Sequence, residues 1–140
     1  MIQKIVVAAA IIYQNRILAV KRADNLKVAP GVYHLPGGHV KSGESPEFAL
    51  KREIKEELQV SIEIEYPIDV FHYDDSTIHT IGIVYLCKLS SDSENIVLNL
   101  NENSNFEWIT EKDIDNYFTQ SIDHNKKASI KAFSMLRYFN

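Results

Sequence analysis

The chain has 140 residues, 45% of them apolar and 24% charged, and its 15 Lys and Arg against 19 Asp and Glu leave a net charge of −4. This is the composition of a globular protein with one domain over residues 1–140 and one core. The negative charge argues against an unspecific grip on DNA or RNA, lone Cys87 excludes an internal disulfide, and the apolar run Ile5 to Ile12 is too short to span a bilayer and lacks a secretory cleavage site. A cytoplasmic protein is expected, with neither a membrane nor a nucleic-acid polymer as partner.

Ile2 to Tyr13 is rich in Val, Ile and Ala without a helical stripe, Gln14-Asn15 is turn material, and Arg16 to Arg22 is again mostly apolar. Two such runs around a polar pair predict a hairpin, with the first strand buried on both faces. Ala23 to Val32, carrying Pro30-Gly31, reads as a loop, and Tyr33 to Leu35 as a short strand entering the Pro36-Gly37-Gly38 turn.

A helix is predicted from Pro46 to Leu58. Ser45 suits the N-cap, and proline at the first helical position loses no hydrogen bond. Leu50, Ile54 and Leu58 form an i, i+4 apolar ridge. At ~100° per residue, Glu53, Glu56 and Glu57 fall within about one third of the circumference, beside that ridge. A solvated face would intersperse lysines; here the acids repel one another by a few tenths of a kcal/mol per pair. A divalent cation reverses that sign, and hard ions such as Mg²⁺ take carboxylate, carbonyl and water oxygens. Arg52, one residue before Glu53 and four before Glu56, is placed to pair with these acids and orient them, with direct phosphate contact the alternative.

Ser61 to Ile68 and Asp69 to Asp74 alternate as strand material broken near Pro67, Asp74-Asp75-Ser76 marks a turn, and Thr77 to Leu89 is the longest strand candidate. Ser90 to Asn105 is polar, with four asparagines after Ile96, and reads as a surface loop. Phe106 to Ile109 is a short strand, Thr110 with Asp113 a capped helix start running to about Phe118, and Asn125 to Phe139 a final helix. Strands, a helix, more strands and terminal helices make an α/β layer architecture. His72, His79 and His124 lack zinc-ligand spacing, and Phe71, Tyr73 and Tyr85 read as core residues that could alternatively stack on a base.

Gly38, five residues, Glu44, seven residues, then Arg52-Glu53-Ile54-Lys55-Glu56-Glu57-Leu58-Gln59-Val60 resembles the Nudix box, whose pattern ends Arg-Glu-aliphatic-x-Glu-Glu-x-Gly-aliphatic. Every charged position matches. The departure is Gln59 in place of glycine, at a helix exit where a left-handed residue costs a side chain ~1–2 kcal/mol.

The resemblance, extended loosely from Val6 to Phe118, implies the Nudix fold: a mixed β-sheet sandwiched between α-helices. It implies that Glu53, Glu56 and Glu57 ligate Mg²⁺ or Mn²⁺, with the Gly37 carbonyl as a further ligand and Glu44 a structural residue or an orienter of the same network. Glu102, six residues before Trp108, looks like the loop acid that supplies an extra metal ligand or base in MutT-like enzymes; Glu107 is its rival, and a solvated loop glutamate the plain alternative. Lys21 and Arg22 could meet substrate phosphates or be an exposed basic pair. His39 stands where many MutT-like relatives have lysine. Asp123 and Asn125 fall where base-reading residues lie in such proteins, with an N-cap the alternative for Asn125.

The implied reaction is divalent-metal-dependent hydrolysis of a nucleoside diphosphate linked to another group, by attack of water on phosphorus. A (deoxy)nucleoside triphosphate giving monophosphate and pyrophosphate is preferred; the alternatives are a nucleotide-sugar or ADP-ribose pyrophosphatase, or a catalytically idle nucleotide sensor. Ser76 stands where ADP-ribose-cleaving relatives often carry proline, and retention of all the box glutamates argues against the idle reading. The expected partner is a small-molecule nucleotide, and the expected state monomer or homodimer.

Overall fold

The structure is a computed structural model describing residues 1–90, 95–119 and 124–139. Strands β1 (Ile2–Tyr13), β2 (Arg16–Arg22), β3 (Tyr33–His34) and β4 (Gly37–His39) precede helix α1 (Pro46–Leu58). There follow β5 (Ile62–Asp74), β6 (Ile78–Leu89), β7 (Asn103–Ile109), a 3₁₀ turn over Glu111–Asp113, and helices α2 (Ile114–Tyr117) and α3 (His124–Phe139). Seven strands make one mixed sheet in the order β3-β2-β1-β6-β5, with β4 beside β1 and β7 beside β2. Among the described residues only the long β1–β6 pairing is parallel; the others are antiparallel.

The sheet is covered on both faces, as the α/β reading requires. Leu50, Ile54 and Leu58 of α1 bury completely against Val7, Ala9, Ile11, Leu18 and Val20. Each such side chain stabilises the fold by roughly 1.5–3 kcal/mol. On the other face Ile114, Phe118, Ala128, Ala132 and Phe133 pack with Ala10, Ile17, Ala19, Val84 and Ile109. No described helix is long and apolar enough to cross a membrane.

The remaining edge of β1 is divided, and the division makes room for the site. Ile12 and Tyr13 pair with β2, whereas Val6, Val7 and Ala8 pair with β4. Between them the Ala9 N–H donates to the Pro36 carbonyl at 2.8 Å, so Leu35 to Gly38 is wedged into the fork. A Cβ at Gly37 would collide with the Val7 carbonyl and the Ala8 backbone. Glycine is required there for close approach rather than for a special dihedral angle.

Local signals act as expected around α1. Ser45 Oγ accepts from the Phe48 N–H at 3.1 Å, and Pro46 opens the helix. Gln59 takes up the left-handed exit at φ 55°, ψ 34°, and its N–H donates to the Lys55 carbonyl. Gln14 and Asn15 both have positive φ, which matches the strand twist of a two-residue hairpin.

Four expectations are corrected. β5 runs unbroken through Pro67, which is tolerated because β5 is the sheet edge, with bulges between Ile64 and Tyr66 and between Pro67 and Asp69. At 13 residues it, and not β6 at 12, is the longest strand. The polar stretch after Ser90 is not simply a surface loop: β7 starts at Asn103, and Ile96 and Leu98 pack against the α1-side core. The helix after Thr110 is a 3₁₀ turn and one short α-helical segment; the Thr110–Asp113 capping box is present.

The left-handed Gln59 yields the first prediction. Gln59→Gly should raise stability by ~1 kcal/mol, because it removes the Cβ penalty without touching a packed side chain. Urea unfolding measures it, and a variant less stable than the parent would refute the strained exit.

Candidate active site

The acids of α1 are arranged around one guanidinium. Arg52 grips Glu44 at two points, Nε to Oε2 at 2.6 Å and Nη2 to Oε1 at 2.8 Å, and its Nη1 lies 3.0 Å from Glu53 Oε1 and 3.3 Å from Glu56 Oε2. Nη2 also donates to the His39 carbonyl at 3.1 Å, tying the helix to β4. The two-point bond holds the Glu44 carboxyl down to about 2, and Glu44 Oε1 also accepts from the Lys41 N–H. Arg52 in turn is held above its usual range, chiefly by Glu44. A Cβ at Gly38 would strike the Glu53 carboxylate, so the second glycine of the turn is the space Glu53 occupies.

Glu57 sits apart from this cation. It is 3% exposed, Oε1 accepts from Asn103 Nδ2 at 3.2 Å, and Oε2 has no hydrogen-bond partner. Burial pushes its pKa up to about 8; the Asn103 amide and the Gly37 N–H oppose the rise, and the Glu102 and Glu53 charges add to it. Burial likewise raises Glu53, against the pull of Arg52, with Glu56 and Glu102 adding to the rise.

The C-terminus of α1 leaves carbonyls without helical partners. The Asn99 N–H takes the Glu57 carbonyl at 2.9 Å and the Val97 N–H takes that of Leu58 at 3.0 Å. The Asn99 carbonyl then accepts from the N–H groups of both Glu102 and Asn103. This closed turn carries Glu102, half-buried, to where its charge is felt by Glu53 and Glu57. The rival Glu107 lies on the other side of the sheet, since Phe106 and Trp108 pack toward α1 and the Glu107 charge acts on Tyr117 of α2.

The other candidates are more dispersed. Arg22 Nε donates to the Val28 carbonyl at 2.9 Å and so braces the 23–32 loop. The Lys21 stem runs beside Gly31 of the same loop. His39 is exposed, and partial burial, then Lys4, holds its imidazole below the usual range. Asn125 lies in the first turn of α3, and its Oδ1 accepts from the Leu35 N–H at 3.1 Å: it latches α3 to the wedge and does not cap its own helix. Asp123 lies outside the described residues. Tyr85 is core, while Phe71 stacks on His124 with ring centroids 3.8 Å apart and Tyr73 lies parallel beyond them.

Two residues of the site escaped the sequence reading. Asn103 is 1% exposed, and His34 brings Nε2 to 3.2 Å from Asn103 Oδ1 while Nδ1 lies 2.7 Å from the Leu35 carbonyl. Burial pushes His34 down; these two bonds pull it up. Asn103 is one of four alternating asparagines, and nothing in their spacing singles it out.

Among the described residues, no three His, Cys, Asp or Glu side chains are already gathered as a cation cage. The donor set nevertheless suits a hard divalent ion: oxygen donors of like charge, one of them a buried Oε2 with no partner.

The family model described as NUDIX domain matches residues 3–132. A MutT-like protein from Streptomyces ambofaciens is 30% identical over 109 residues, 77% of this chain; the chain spans 64% of that relative's length. A nucleoside triphosphatase NudI from Escherichia fergusonii is 32% identical over 124 residues, 82% of this chain and 87% of the relative. The crystal structure of a MutT NUDIX hydrolase from Burkholderia pseudomallei superposes with a TM-score of 0.77 at 26% identity, covering 94% of this chain and 98% of that one.

The raised Glu57 pKa gives a pH prediction. The folded state holds this proton up to about pH 8, whereas an unfolded glutamate releases it near its ordinary 4.5. The contribution to stability is therefore fully present below about pH 4.5 and lost as pH rises through about 8. At about 1.4 kcal/mol per pKa unit, the loss is a few kcal/mol. Metal-free Glu57→Gln, which mimics the protonated acid, should match the parent at pH 5 and exceed it at pH 9 in chemical denaturation; parallel pH profiles would overturn this account.

Proposed function

The chain belongs to the Nudix family of hydrolases, and on that premise we propose that it hydrolyses nucleoside triphosphates, releasing a monophosphate and pyrophosphate with the help of Mg²⁺ or Mn²⁺. The observation that carries the reading is a buried Glu57 carboxyl oxygen without a partner, in a group that feels the charges of both Glu53 and Glu102. The nucleoside triphosphatase relative, covered over 87% of its length, favours the triphosphate over other nucleoside diphosphate derivatives.

Glu53, Glu56 and Glu57 would hold the cation, with Glu102 and the Gly37 carbonyl as further donors. When bound, the ion supplies neutralisation of phosphate charge and acidification of water. The protein's own part is to place groups. Arg52 keeps Glu53 and Glu56 turned toward the site from behind and has no substrate role of its own. Glu102, on its closed turn, takes the proton from the attacking water as the anhydride P–O bond breaks. Arg22 and Lys21 are the cations available to the phosphates, and His39 is a neutral hydrogen-bond donor beside them. Asn125, latched to Leu35, is assigned to holding the wall of the nucleotide cleft instead of reading a base edge. The chain acts as one domain in the cytoplasm.

The direct test is a panel of nucleoside triphosphates, nucleotide sugars and ADP-ribose with Mg²⁺, scored for pyrophosphate, phosphate and sugar phosphate. Pyrophosphate release from a triphosphate is expected, and excess EDTA should abolish it. Sugar phosphate released in preference would replace the triphosphate assignment. Glu53→Gln and Glu57→Gln should each lower turnover by orders of magnitude while the far-ultraviolet circular dichroism stays that of the parent. Glu102→Gln should lower kcat and kcat/KM together by ~10²–10⁴-fold, as loss of a general base does. Glu107→Gln should stay near the parent. If Glu107→Gln is the crippled variant, the two roles are exchanged.

A further inference from the structure

Three of the acids in the α1 network lean on a cation. Glu44, Glu53 and Glu56 all reach Arg52, whereas among the described residues no Lys, Arg or His forms an ion pair with Glu57. Its side-chain bond comes from a neutral amide, which fixes one oxygen and leaves the charge of the group uncompensated. An arginine in that place would have filled the role a metal ion takes. The amide is itself fixed: Asn103 is fully buried, its N–H is bound to the Asn99 carbonyl, and its Oδ1 faces His34 Nε2. The neutral ring carries one N–H; with that proton on Nε2 it donates to the Asn103 oxygen, Nδ1 lies beside the Leu35 carbonyl, and the Leu35 N–H is bound by Asn125.

We propose that Asn103 and His34 are positioning residues for Glu57. His34 turns the Asn103 amide so that its NH₂ group holds Glu57 Oε1, leaving Oε2 directed at an incoming divalent cation. The inference rests on the reading of Glu57 as a cation ligand and extends it to two residues that touch neither cation nor substrate. Outer partners of this kind are typically worth 10–100-fold in metal affinity.

The test is Mn²⁺ binding to the full-length metal-free chain without substrate, followed by electron paramagnetic resonance of free Mn²⁺, with thermal melts of each variant. Asn103→Ala and His34→Leu should each weaken Mn²⁺ binding by ~10–100-fold. His34→Gln, whose Nε2 can still donate to the Asn103 oxygen, should recover to within a few-fold of the parent. If Asn103→Ala fails to fold, the His34 pair carries the test alone. Glu57→Gln separates the two ideas. If it loses the site while the Asn103 and His34 variants bind normally, the positioning proposal is overturned and the ligand reading stands. If Glu57→Gln binds Mn²⁺ as the parent does, the ligand reading falls and takes the proposal with it. A His34→Gln variant as weak as His34→Leu would assign the ring to packing and overturn the relay.

Discussion

The burial of the Glu57 carboxyl is the constraint around which the rest of the site is arranged. Glu57, next to the Leu58 that ends the apolar ridge of α1, carries an ionisable group into the core, where an unpaired charge is costly. Only a scaffold that holds this end of the helix rigidly can keep it there. The segment from Val97 to Asn103 does so twice over, with backbone N–H groups on the Glu57 and Leu58 carbonyls and a side-chain amide on the carboxyl. The same segment closes into the turn that bears Glu102, so the two acids share one backbone anchor at Asn99. A shift at the helix end displaces both.

The opposite wall is made by the wedge in the β1 fork. Gly37 lets the chain lie against β1, and Gly38 leaves the volume that Glu53 fills, so the paired glycines answer two separate steric demands. Arg52 then joins wedge to helix by way of the His39 carbonyl and Glu44. That bridge explains why an arginine serves where a lysine would not. The planar fork reaches two oxygens of Glu44, one of Glu53 and a carbonyl at once, and a single ammonium has no such geometry.

What could be read from the sequence was whatever is encoded locally. Ser45, Pro46 and the Leu50–Ile54–Leu58 ridge specify α1 within one helix, and the clustered glutamates follow from the helical period. The left-handed exit at Gln59 was legible as the departure from a glycine pattern. Pairings over long separations were not. Asn103 meets Glu57 across 46 residues and His34 across 69, and neither carries a period or a cap that would announce it. β7 was shortened in the reading because Asn103, Ser104 and Asn105 have poor strand propensity, and pairing with β2 overrides it. The role of Asn125 was hidden for a related reason. An asparagine near a helix start reads as a cap, and its real partner, the Leu35 N–H, lies 90 residues away.

The same features tie stability to function. Without a cation, Glu57 must take up a proton to be buried at neutral pH, which opposes folding, and the large apolar layers on both sheet faces offset that cost. Any cation that binds the folded chain and not the unfolded one returns stabilisation in proportion to its occupancy. Replacing Asn103 by a cationic side chain would satisfy Glu57 and favour the empty protein, at the expense of the charge that a cation must find. The neutral amide leaves the acid held but uncompensated, with one carboxyl oxygen fixed and the other without a hydrogen-bond partner. On the proposed reading of Glu57 as a cation ligand, stability of the empty protein and cation affinity pull in opposite directions at this one carboxyl, and the choice of asparagine over arginine sets where the balance falls.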